Sequence, residues 1–137
     1  MKTRIAFSDT LNQGKYSALL EQAGRLGIIR SEVSQCFGSI NGVGLRYRTI
    51  RDAWIREGRQ FNVPANAWKQ TLADAIANIK ANREAAKVSV KQAIRRRTQD
   101  RSEQKRLYTL LKSDKYADDS YLSRMMRKVC HRGYNHT

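Results

Sequence analysis

Apolar residues recur at helical spacing through most of this chain, and the pattern is clearest over residues 62–98, NVPANAWKQTLADAIANIKANREAAKVSVKQAIRRRT. There Trp68, Leu72, Ile76, Ile79, Ala86, Val90 and Ile94 follow one another at intervals of three, four or seven. Such spacing draws one narrow apolar seam along a helix and predicts that the seam faces a core, with Arg83 as its one charged interruption. Asn62 is the expected N-cap. Pro64, the one proline of the chain, suits the first turn, where a missing N–H removes no intrahelical bond. At 1.5 Å per residue this helix spans about 50 Å.

Upstream, Tyr16, Leu19, Leu20, Ala23, Leu26, Val33 and Phe37 share a helical period, weakened by Gly24 and Gly27. A break is expected near Gly27, with Ser31 capping a second short helix over residues 31–37. The stretch GSINGVG, residues 38–44, is the strongest breaker in the chain. It lacks the lysine and Ser/Thr of a phosphate-binding loop, so it reads as a connector. Residues 45–58 then predict a compact helix with Tyr47, Ile50, Ala53 and Trp54 inward and Arg46, Arg48, Arg51 and Arg56 outward, ended by Gly58.

Downstream of the long helix, Asp100 is placed to cap a helix over residues 101–114 that buries Leu107, Tyr108, Leu110 and Leu111. After a loop at 115–119, Asp118 or Asp119 caps a last helix whose apolar face is Tyr121, Leu122, Met125, Met126 and Val129, stopped by Gly133. Only residues 4–7 carry a β-compatible run, ahead of the turn residues Ser8, Asp9 and Asn12. The expected fold is mainly α: a helical bundle or set of hairpins around one long helix, with at most one short N-terminal strand. One domain is expected over residues 1–137, divided into a strand and turn (1–12), helices and a glycine-rich loop (13–61), the long helix (62–98) and C-terminal helices with a tail (99–137).

Charge narrows the function. The chain carries 27 Lys+Arg against 12 Asp+Glu, a formal charge of +15, which points to a polyanionic partner. Lysine and arginine on the outer face of a helix ordinarily serve solvation alone. Between residues 80 and 112, however, eleven basic side chains face only Glu84, Asp100 and Glu103, too few to neutralise them at i,i+4 spacing. The candidate phosphate-contacting set is Lys80, Lys87, Lys91, Arg95, Arg96, Arg97, Arg101, Lys105 and Arg106, with Arg46, Arg48 and Arg51 as a secondary basic face. Nucleic acid is the expected partner, RNA first and DNA second. Trp54 and Trp68 lie on apolar faces and are expected in the core, not as platforms for stacked bases.

Other classes recede on the same residues. No run reaches the eighteen or so apolar residues of a membrane span, and MKTRIAFSDT lacks the apolar stretch of a secretory signal, so a cytoplasmic protein with no membrane partner is expected. Cys36 and Cys130 form no CxxC pair and read as reduced thiols. Cys130, His131 and His136 are too few ligands for a metal site. Neither a metal nor a cofactor is expected.

The stretches FNVPANAWKQTLADAIANIKANREAAKV and YLSRMMRKVCHRGYNHT, in this order and spacing, resemble the N-terminal part of transposon-encoded OrfB/TnpB-like proteins, RNA-guided nucleases related to type V CRISPR effectors. The resemblance implies that residues 4–7 belong to a wedge barrel and that the helices form a recognition lobe gripping a guide RNA or its heteroduplex. It also implies that the RuvC-like nuclease, whose carboxylates converge on divalent metals, belongs to a portion beyond this chain. No catalytic residue is carried over, and no enzyme activity is expected: Asp9, Asp52, Asp74, Asp100, Asp114, Asp118 and Asp119 read as caps, turns and helix surface. Two alternatives stand beside this reading. One is a helix-turn-helix-like DNA-binding repressor or accessory factor presenting Arg46, Arg48 and Arg51, although seven loop residues exceed the three or four of that motif. The other is a phage-borne, anti-CRISPR-like inhibitor that mimics the lobe and binds an effector nuclease or its guide.

Overall fold

The computed structural model describes residues 12–135. The short strand expected at residues 4–7 lies outside them. The described residues form five α-helices and no strand: α1 (Gln13–Phe37), α2 (Tyr47–Arg56), α3 (Ala65–Arg97), α4 (Arg101–Lys112) and α5 (Ser120–Asn135), with a 3-10 turn at Tyr116–Asp118. The fold is mainly α, arranged around the long helix.

Along α3 all seven residues of the apolar seam are buried. They serve two separate cores. The N-terminal half of α3 gives Trp68, Leu72, Ala75, Ile76 and Ile79 to a cluster with Ile29 and Val33 of α1 and Ile50 and Trp54 of α2. The C-terminal half gives Ala86, Val90 and Ile94 to a cluster with Ile40 of the glycine-rich turn, Leu107 and Leu111 of α4, Tyr116, and Leu122, Met126 and Cys130 of α5. Each fully buried aliphatic or aromatic side chain contributes roughly 1.5–3 kcal/mol.

Arg83 stands where the two clusters meet. It is 8% exposed, and its guanidinium donates to the carbonyls of Phe37 and Ser39. Helix α1 has no basic residue in its own last turn, so a cation from α3 bonds its last carbonyl, that of Phe37, together with the Ser39 carbonyl of the following turn, and meets the negative end of its dipole. The interruption of the seam is therefore the joint between α1 and α3.

Several expectations are corrected. Helix α1 runs unbroken through Gly24, Gly27 and Ser31, because Ile29 and Val33 pack on α3 and an isolated glycine costs a helix only about 1 kcal/mol. Tyr16, Leu19 and Leu20 are more than half exposed, and the buried side of α1 is carried by Ile29 and Val33. Asn62 does not cap α3: it adopts φ +56, its carbonyl accepts from Arg25 of α1, and Pro64 occupies the cap position without a side-chain bond. Helix α5 passes through Gly133 to Asn135 instead of stopping there.

Other local signals hold. Asp100 accepts from Ser102 N–H at 2.9 Å, and Asp119 accepts from Leu122 N–H at 2.9 Å. Both are N-caps of the expected kind. Gly58, at φ +66, follows the end of α2. Trp54 and Trp68 are 7% and 8% exposed and pack around Phe61, with ring centroids 5.3 and 4.8 Å from it. Arg59 covers this aromatic group, 4.4 Å over the Trp54 ring, while donating to both carboxylate oxygens of Glu32 on α1.

Candidate nucleic-acid interface

The basic side chains named from the sequence separate by environment. Lys80, Lys91, Arg95 and Arg96 on α3 and Arg101 and Lys105 on α4 are exposed, and none has an ion-pair partner among the described residues. The same holds for Arg46 and Arg48 at the start of α2. Positions 80, 91 and 95 fall on one side of α3, within about 60° of one another at 3.6 residues per turn.

Lys87 does not belong to this set. It is 8% exposed, its stem lies beside the seam, and Nζ is held at 2.8 Å from Glu84 and 2.6 Å from Asp114. Burial works against its charge, but the hydrogen bonds to Asp114 and Glu84 prevail and the pKa of Nζ is raised. Lys87 is thus placed inside the fold, not on the outer flank. Asp114 lies just past the end of α4, so this pair fixes the far end of that helix to the middle of α3. Residues 98–100 join the near ends, and α4 runs back antiparallel along α3.

Three further candidates are partly engaged. Arg106 pairs with Glu103 at 2.6 Å and lies 3.4 Å from Asp119; the hydrogen bond with Glu103 raises the arginine's pKa and lowers that of the carboxylate. Arg51 pairs with its neighbour Asp52 at 2.9 Å. Arg97 lies 3.9 Å over the Tyr121 ring, a cation–π contact that joins the end of α3 to α5. Arg95, Arg96 and Arg97 also occupy the last turn of α3, where positive charge stabilises the helix dipole by a few tenths of a kcal/mol to about 1 kcal/mol each.

One residue of this surface was not singled out from the sequence. Lys112 is exposed and shares a shallow groove with Arg101, Lys105 and Tyr108 on α4. The signal was present, because positions 101, 105 and 112 stand at intervals of four and seven and share a helix face. The unpaired cations therefore fall into two sets, a strip of Lys80, Lys91 and Arg95 on α3 and a second of Arg101, Lys105 and Lys112 on α4.

Cys36 is exposed and Cys130 buried, both as free thiols, and burial raises the pKa of Cys130. Among the described residues no three His, Cys, Asp or Glu side chains are grouped to hold a metal ion, and no helix is long and apolar enough to cross a membrane. Comparison with known proteins finds no matching family model, no matching curated protein and no matching solved structure.

Proposed function

We propose that this chain is a non-catalytic nucleic-acid-binding module that grips structured RNA or an RNA–DNA hybrid through backbone phosphates, in the manner of the recognition lobe that its sequence resembles. The observation that carries the reading is the unpaired charge: six exposed cations from Lys80 to Lys105 lack an acidic partner among the described residues, on a chain of net charge +15. Like charges left without partners repel, and phosphates supply the missing opposite sign. Both tryptophans are buried, so neither serves as a platform for stacked bases. Contacts of the exposed cations are therefore to phosphates, with little dependence on sequence along paired helix.

The helix-turn-helix alternative would use residues 31–37 as its first helix; these are the last turns of the 25-residue α1, and seven loop residues exceed the three or four of that motif. The nucleic-acid module and the lobe-mimicking inhibitor are separated by titrating mixed-sequence RNA and DNA at several salt concentrations. If about six phosphates are neutralised, log K falls with log salt at a slope near −4 to −5, from roughly 0.7 to 0.9 per contact. A flat salt response, or release of no RNA from the protein purified from its native host, would overturn the proposal in favour of a protein partner.

A further inference from the structure

A cleft of about 480 Å³ opens between Leu45 and Arg46 at the entry to α2, Lys80, Arg83 and Glu84 of α3, and Asp114 and Tyr116 beyond α4. Tyr116 is fully buried, and its Oη is the buried side-chain polar atom that has no hydrogen-bond partner among the described residues. A buried hydroxyl left unbonded costs about 1–3 kcal/mol. Phenylalanine at this position would avoid that cost, so a group entering the cleft is the natural partner of the hydroxyl.

The walls restrict what that group is. The Arg83 guanidinium is occupied by the carbonyls of Phe37 and Ser39, whereas Arg46 and Lys80 are exposed and unpaired among the described residues. Glu84 and Asp114 each commit one carboxylate oxygen to Lys87, which leaves the second oxygen of each to accept another donor. A bare phosphate would meet two carboxylates here, and a simple cation would meet Arg46 and Lys80. A nucleotide satisfies both kinds of wall, because it carries an anionic phosphate at one end and amino donors on the base at the other. The volume lies within the roughly 300–1,000 Å³ of small-molecule sites.

We propose that this cleft takes one unpaired nucleotide of a bound RNA, with its phosphate on Arg46 and Lys80, the amino edge of its base toward Glu84 and Asp114, and Tyr116 Oη bonded to the base. The proposal rests on the nucleic-acid reading above and gives it a substrate preference: helical RNA interrupted by a bulge or an end.

The test compares a fully paired RNA hairpin with hairpins carrying a single bulged A, C, G or U, by fluorescence anisotropy on the full chain. The A, C and G bulges are expected to bind about five- to tenfold tighter than the paired hairpin. The U bulge, which lacks an exocyclic amino group, gains least. Tyr116→Phe should remove most of the bulge preference, leave the affinity for the paired hairpin unchanged and leave thermal stability equal or higher. Arg46→Ala should weaken the bulged hairpins more than the paired one. Equal binding of paired and bulged hairpins by the wild type, with salt dependence intact, overturns the cleft and leaves the phosphate-binding module standing. A Tyr116→Phe protein that is more stable and keeps its bulge preference also overturns it. Failure of every hairpin to bind defeats the module itself.

Discussion

Arg83 and Lys87 are charged residues that α3 carries into the interior, and each is held there by a different kind of partner. Arg83 joins the last carbonyl of α1 to that of Ser39 in the turn beyond, so Arg83→Met should destabilise the fold by about 2–4 kcal/mol in urea unfolding, because it removes two charge-assisted hydrogen bonds from the joint between α1 and α3. Arg83→Lys should recover only part of the loss, since an ammonium lacks the planar fork of a guanidinium. Lys87 bridges Glu84 and Asp114, and Asp114 itself adopts φ +60. Asp114→Asn keeps a side chain that tolerates this conformation and removes the charge. Asp114 is about half exposed, so the expected cost is about 1 kcal/mol or less, read by thermal unfolding. The pH dependence follows from the raised pKa of Lys87. Its contribution is complete below the ordinary lysine value of 10.5 and is lost as pH rises through the higher folded value. A double-mutant cycle of Lys87 and Asp114 should therefore show coupling at pH 8 that fades in alkaline solution.

At the scale of elements, α1 shows how packing overrides local preference. Gly24 and Gly27 have open space where a Cβ would stand, and neither adopts a positive φ. Replacing both by alanine should thus stabilise the protein by roughly 1–2 kcal/mol, measured by urea unfolding. A loss of stability would mean that the glycines serve a bend that this helix lacks. The same competition decides what was legible in the sequence. The α3 seam and the caps at Asp100 and Asp119 were readable, because a period or a side chain acting within three residues determines them. The continuity of α1 was not, since it depends on Ile29 and Val33 joining the core built on the N-terminal half of α3. Nor was the removal of Lys87 from the outer flank, because Asp114 lies far along the chain and approaches only when α4 folds back. Asn62 had the composition of a cap, but its carbonyl is taken by Arg25 and the helix begins beyond Pro64.

Across the whole molecule, one helix carries two cores, and a share of the exposed, unpaired charge lies along its flank and on α4. Burial of Trp54 and Trp68 beside Phe61 predicts a blue-shifted tryptophan emission that bound nucleic acid leaves unquenched. The strip itself is tested most directly by changing Lys91, Arg95, Arg96 and Arg101 together to alanine. All four are exposed and unpaired among the described residues, so the variant should stay folded with its helical circular dichroism, its stability lowered only by the helix-dipole share of Arg95 and Arg96, about 1 kcal/mol in urea unfolding. Its affinity for mixed-sequence RNA should fall for every sequence alike, and the salt slope should shrink by roughly 3 units for four lost contacts. An unchanged affinity and slope in this folded variant would contradict the account and reduce the strip to solvation.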